Sequence, residues 1–243
     1  MIQRMTNAAD NTADVLEDLG HRAYILKDEM DFREKIYVVE SPSPEDLLTG
    51  RNEGDSLTRV LKLAEIDVVY FLAVNAEMFE EAFNNIENLI LNQSDIRTAM
   101  PIIHISAHGS DDGIELTDGD AIHWEKLSNL LSKLHKAVGP VILPPPLPQN
   151  IPKVTLGLSS CSAYRAYRAK VERPTPFQAV VGPTRDVGWC EAMLAFSSFY
   201  YLTGVQKKTY EVAVVGMNFA CGAAFMDGPA FASWNWFEDG DEA

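Results

Sequence analysis

Apolar residues along the chain keep two different periods, and the two alternate. Unbroken runs rich in β-branched residues occur at Lys35–Glu40, Asp67–Val74, Pro101–Gly109, Val154–Cys161 and Phe177–Val181. Such runs predict strands, and those opening at Pro101 and Val154 predict strands buried on both faces, as in a parallel sheet. Between them the spacing becomes that of a helix face. Leu57, Val60, Leu61 and Ala64 follow Ser56, a candidate N-cap. Phe79, Phe83, Ile86 and Ile90 make a second stripe, and Trp124, Leu127, Leu131 and Leu134 a third. Ser162–Val171 predicts a helix opening behind the cysteine strand. Trp189, Ala192, Met193, Phe196, Phe199 and Tyr200 predict another, closing near Gly204. Segment 209–222 carries both signals: Val212, Val214 and Val215 favour a strand, whereas Ala213, Gly216 and Ala220 suit a packed helix, the reading taken here. A last strand is expected at Phe231–Phe237.

Strands alternating with helices imply βαβ units with right-handed crossovers. The expected fold is therefore three-layer α/β, a mostly parallel central sheet with helices on both faces. Turn chemistry punctuates it. Ser41–Pro44 ends the first strand, and Gly113–Gly119 alternates into Asp-Gly, predicting a small hairpin at the rim. The proline-rich stretch 139–152 predicts an extended loop, and 182–188 a second one. One domain is expected over 35–237. Residues 1–34 form an N-terminal extension, helical by the spacing of Val15, Leu16 and Leu19 opposite Asp14, Glu17 and Asp18, and 238–243 form an acidic tail.

Composition narrows the class. The apolar share of 47% and charged share of 23% are those of an ordinary globular chain. A net charge of −15 repels a nucleic-acid backbone, and the densest basic patch, Arg165, Arg168, Lys170 and Arg173, reads as a solvated helix face. Direct nucleic-acid binding is not expected. The cysteines Cys161, Cys190 and Cys221 are too few and scattered for a disulfide framework, which points to a reducing, cytoplasmic compartment. No stretch approaches ~20 apolar residues and no leader pattern opens the chain, so no membrane association is expected.

Two strand ends carry the candidate chemistry. The run beginning at Pro101 delivers His108, followed by Gly109, and the run beginning at Val154 delivers Cys161. Carboxyl ends of central strands are where open α/β sheets place ligands. If the two strands are parallel neighbours, imidazole and thiol emerge side by side. A thiolate is the nucleophile of cysteine chemistry; a nearby imidazole and the amino end of a helix both favour it. The same imidazole can protonate a leaving amine. The backbone N–H groups of Gly109 and Cys161 are the candidate oxyanion donors. This chemistry needs no cofactor. Taken singly, either residue has a bland reading, a hydrogen-bonded strand histidine or a small buried thiol. Their matching positions favour a pair.

His104-Ile-Ser-Ala-His-Gly109 followed by Leu158-Ser-Ser-Cys161 resembles the histidine and cysteine motifs of the caspase-like cysteine peptidases, and most of all the bacterial CHAT branch. The interval of 53 residues agrees with the spacing of about 50 expected of caspases. Gly113–Gly119 resembles the rim hairpin behind the family's histidine. Glu191, Ala192, Phe196, Phe199, Tyr200, Leu202 and Gly204 resemble its helix after the next strand. The resemblance implies a peptidase with a His108–Cys161 dyad and Gly109 in the oxyanion hole. Cys161 lacks the Gln-Ala-Cys-Arg-Gly setting of true caspases and the acidic residue that precedes the metacaspase cysteine, so neither aspartate nor basic specificity carries over. The usual tetratricopeptide array is missing from the sequence, and the regulatory arm is unidentified.

Rival readings sharpen the expectations. His104, His108, His123 and Cys161 are all metal-ligand types, but in a strand His104 and His108 stand about 13 Å apart, beyond zinc bonds of about 2.0–2.1 Å. His104 is expected to be structural, its ring held by a buried partner. Cys190 and Cys221 are expected in core packing. Substrate-binding candidates lie in the loop before Trp189: Asp186 as a charge for a basic residue or as the N-cap of the next helix, and Trp189 as an apolar wall. The partners expected are a protein or peptide substrate and a regulatory protein that relieves latency, with loops 139–152 and 182–188 as gates. A caspase-like binding module without catalysis is the competing function.

Overall fold

The computed structural model describes residues 33–93, 99–140, 151–161, 163, 164, 167, 175–223 and 229–235. The expected N-terminal extension, the basic patch and the acidic tail lie outside these residues, except that Arg33 and Glu34 already belong to the first strand. The same holds for the core of the proline-rich loop and most of the helix predicted after Ser162, of which Ala163, Tyr164 and Tyr167 are helical.

In chain order the elements are β1 (Arg33–Ser41), α1 (Pro44–Thr49), α2 (Glu53–Leu63), β2 (Val68–Leu72), α3 (Ala76–Leu91), β3 (Ala99–Gly109), β4 (Gly113–Glu115), β5 (Ala121–His123) and α4 (Trp124–Val138). There follow β6 (Thr155–Ser159), β7 (Ala179–Pro183), α5 (Trp189–Tyr200), which runs on as a π-helical turn over Tyr201–Val205, α6 (Tyr210–Ala220) and β8 (Phe231–Asn235). The main sheet has the order β2-β1-β3-β6-β7-β8. Every neighbouring pair in it is parallel except β7 with β8. The hairpin β4–β5 hangs from the end of β3.

Side-chain alternation gives the sheet two unlike faces. Tyr37, Val39, Ile103, Ile105, Leu156 and Leu158 turn towards Phe79, Phe83 and Ile86 of α3 and Leu127, Leu131 and Leu134 of α4. This layer is hydrocarbon and aromatic. Ile36, Val38 and Ile102 turn the other way, onto Leu57 and Leu61 of α2 and Phe196, Phe199 and Tyr200 of α5. By the two-residue period that second face also carries Glu40, His104 and Ser106, all buried. A layer on each side buries both faces, which is why the strands read as unbroken apolar runs.

Two boundaries differ from the sequence reading. α2 starts one turn before Ser56, with Asn52 at its N-cap and no cap bond from that side chain. Its amino end is satisfied from the sheet instead: the Glu40 carboxylate accepts the N–H groups of Gly54 at 2.7 Å and Asp55 at 3.0 Å, and the Tyr70 hydroxyl at 2.7 Å. Burial pushes the Glu40 carboxyl above its ordinary range, although those bonds pull against it. β7 starts two residues after Phe177, whose ring is buried among Tyr167 and Trp234 instead of entering the ladder. Of the two cysteines expected in core packing, Cys190 is not in the core, whereas Cys221 packs against its edge. Cys190 is exposed in the first turn of α5, and Cys221 is half-buried at the end of α6. Segment 209–222 is helical over Tyr210–Ala220: Ala213 is fully buried and Gly216 lies against Leu202, while Ala220 is exposed. No described helix is long and apolar enough to cross a membrane.

Candidate active site

Four strands deliver the candidate site at their carboxyl ends. β1 leads through Ser41–Ser43 into α1, and β3 ends at His108 and Gly109. Cys161 follows β6, and β7 leads through 184–188 to Trp189. The chain winds one way from β1 to β2 and the other way from β3 onward. The crevice therefore sits at the switch between β1 and β3, where such sheets bind ligands.

Register brings His108 and Cys161 together. Ser106 of β3 pairs with Ser159 of β6; His108 lies two positions further on in β3, and Cys161 two positions beyond Ser159, in the turn that follows β6. Both thus leave the same face of the sheet at the same level. β3 is buried from Ala99 to Ala107 and emerges at His108 and Gly109. Gly109 packs straight onto the cysteine backbone. A Cβ on it would stand 2.8 Å from the Cys161 carbonyl oxygen and 2.9 Å from Ser160 Cβ, so close approach alone demands glycine.

The imidazole and thiol each have another partner. Cys161 Sγ donates to the Val187 carbonyl at 3.5 Å. His108 Nε2 lies 3.3 Å from Asp46 Oδ2. Among the described residues no hydrogen bond joins the thiol to the imidazole. Trp189 meets the His108 ring edge-on, centroids 4.9 Å apart, and its indole N–H donates to the same Asp46 Oδ2 at 3.1 Å. Ser43 Oγ donates there as well, at 2.6 Å, and Arg51 Nε lies 3.0 Å from Oδ1. Burial pushes the Asp46 carboxyl up, but the bonds from Ser43, Trp189 and His108, with the Arg51 charge, outweigh it and hold the group below its ordinary range.

Asp46 went unread in the sequence. Ser43 with an acidic residue three positions on is the signature of a helix start, and the structure bears that role out: Ser43 caps α1 by accepting the Asp46 N–H at 3.1 Å. Only the tertiary fold shows that the carboxylate also reaches His108. The loop carrying it is pinned from the rim hairpin. Thr117 donates its N–H to Ser41 Oγ at 3.0 Å and its hydroxyl to the Pro42 carbonyl at 2.6 Å.

The remaining candidates separate. Trp189 is at the site. Asp186 is exposed, and Gly188, not Asp186, is the N-cap of α5, with no side chain capping it. Arg185 pairs with Glu191 at 2.5 Å and donates to the Asp186 backbone carbonyl at 2.7 Å. His104 is fully buried and held as a structural residue. Its Nδ1 bonds Tyr200 Oη at 2.9 Å, Phe196 meets it edge-on, and Nε2 faces Glu53 Oε2 at 3.7 Å. Beneath the crevice, Ser106 Oγ, Ser159 Oγ and both Glu53 oxygens are buried with no hydrogen-bond partner among the described residues.

A mostly parallel three-layer α/β fold, with a histidine, a cysteine and a carboxylate on one rim, is the class that these observations define. No protein-family model and no curated protein matches the chain. Among solved structures it is similar to the crystal structure of drICE, a caspase, with 13% identity and a TM-score of 0.48, over 84% of this chain and 88% of that one.

Proposed function

We propose that the chain is a caspase-like cysteine endopeptidase whose dyad is His108 and Cys161. The observation that carries this reading is the register: a histidine and a cysteine each two residues beyond the Ser106–Ser159 pair, on one face, with Gly109 seated on the cysteine backbone. The sequence resemblance to the CHAT branch points the same way. In this mechanism Cys161 Sγ gives its proton to His108 and attacks the scissile carbonyl. The oxyanion is met by the N–H groups of Gly109 and Cys161. His108 then protonates the leaving amine, which leaves a thioester. Water, activated by the same imidazole, releases the acid and restores the thiol.

The Cys161–Val187 bond supports latency. The thiol is parked on the 184–188 loop, and only the fraction of molecules in which that loop has moved aside, small in the resting chain and the fraction a thiol reagent reads, lets the imidazole take the proton. A partner protein that draws it aside is the proposed activator, and the medium proposed is cytoplasmic. The second reading, a caspase-like binding module, draws on the same bond, because a thiol tied to a carbonyl is not activated. Proteomic comparison of new protein termini in cells expressing the wild type, Cys161→Ala or His108→Ala separates the two. Termini seen only with the wild type are expected, and identical profiles in all three would leave the binding module. Full turnover by the purified chain with no partner would remove the latency arm.

A further inference from the structure

We infer that Asp46 is a positioning residue that works through His108, fixing which ring nitrogen receives the Cys161 proton and balancing the imidazolium that results. This rests on the dyad reading above. The carboxylate is built for one arrangement. Its side chain is 7% exposed. Oδ2 faces three donors, Ser43 Oγ, Trp189 Nε1 and His108 Nε2, and Oδ1 faces Arg51. An ionised carboxylate only accepts, so the neutral imidazole presents Nε2–H to it. Nδ1 is left with the lone pair. When the Cys161 S–H proton passes to Nδ1, the sulfur keeps the bonding pair as thiolate, and the new imidazolium charge lies one hydrogen bond from the Asp46 carboxylate.

The surroundings favour this division of labour. Around His108 the charged and titratable groups are Asp46, with Glu45 and Arg51 behind it, Cys161, and Glu115, its exposed register partner on β4. Of these only Asp46 is hydrogen-bonded to the ring. Arg51 offsets part of the Asp46 charge but pairs with the far oxygen, its Nε–H donating to Thr49 Oγ1, and so leaves Oδ2 to the ring. Trp189 shares Oδ2 and lies against the imidazole. The same carboxylate therefore ties the ring to the segment that follows the 184–188 loop.

The test reads Cys161 itself, by mass spectrometry of its alkylation with iodoacetamide, in wild type, His108→Ala, Asp46→Ala, Asp46→Asn and the His108→Ala/Asp46→Ala double variant. Cys190 serves as the internal reference thiol. His108→Ala and Asp46→Ala are each expected to slow Cys161 by about tenfold or more, the double variant no further, because residues acting as one unit are not additive. Asp46→Asn, which keeps the shape but not the charge, is expected to fall between. A second readout, the His108 Nε2–H cross-peak in a ¹⁵N spectrum, is expected in wild type and lost in Asp46→Ala even when melting shows a folded chain. If His108→Ala slows Cys161 and Asp46→Ala does not, the positioning role is overturned and the dyad stands. If His108→Ala leaves the rate unchanged, the dyad falls and the positioning role falls with it.

Discussion

Gly109 sets the clearance of the rim. With the Cys161 carbonyl oxygen 2.8 Å from where its Cβ would be, even a methyl group has to push the cysteine away from the imidazole. Both neighbours are anchored, Gly109 in the β3–β4 pair and Ser160 in the buried sheet end. Gly109→Ala is expected to keep the fold and lower Cys161-dependent cleavage by about 10²-fold, the loss a displacement near 1 Å brings; kinetics beside a thermal melt check it. The rim positions of His108, Gly109 and Cys161 were legible in the sequence because each closes an apolar run, and the run's length fixes where it emerges. Asp46 was not. It lies 62 residues before His108, and locally it reads as a helix-start residue, a role it also fills. The N-cap reading of Asp186 failed for the converse reason: acidic residues ahead of a helix are common caps, yet here Gly188 takes that place.

At the scale of elements, β6 and α5 meet through a glycine. A Cβ on Gly157 would stand 2.5 Å from Tyr200 Oη and 3.1 Å from His104 Nδ1. The bare backbone is what lets α5 bring Tyr200 down onto His104. Gly157→Ala is expected to separate them and destabilise the protein by about 1–3 kcal/mol, as overpacking does, measured by urea denaturation. His104→Ala should go further, about 2–4 kcal/mol, since it leaves Glu53 buried opposite nothing. A melt of His104→Ala matching the wild type would remove His104 from the structural role. The strands and the long helices were visible in the sequence because their periods extend over enough residues. The start of α2 was not, because its cap comes from Glu40 across the layer and not from a residue beside it.

For the molecule as a whole, pH acts through groups whose folded and unfolded proton affinities differ. Asp46 is held below the ordinary carboxylate range when folded. As pH falls, the unfolded chain therefore takes up this proton first. The stability Asp46 contributes is complete above the unfolded value, about 3.9, and is lost as pH drops through the lower folded one. Glu40 has the opposite sign, since its folded carboxyl is raised and its contribution is lost as pH rises. With a net charge of −15, general repulsion also eases on acidification, so the comparison has to be differential. Urea midpoints of wild type and Asp46→Asn are expected to differ most above about pH 5 and to converge towards about pH 2. A constant gap across that range would mean that the Asp46 charge is not what matters.

The unlike faces of the sheet also make the fold its own proofreader. Strands have a period of two, so a slip of one residue between β3 and its neighbours would exchange the faces. His104 and Ser106 would then be driven among Phe79, Phe83 and Leu131, while Ile103 and Ile105 would face Glu53 and Tyr200. The same slip would turn His108 to the far side of the sheet from Cys161. Misregistered chains are thus penalised by stranded polar groups in hydrocarbon, and they also hold the thiol and imidazole apart. Errors in assembly would thus also undo the proposed dyad.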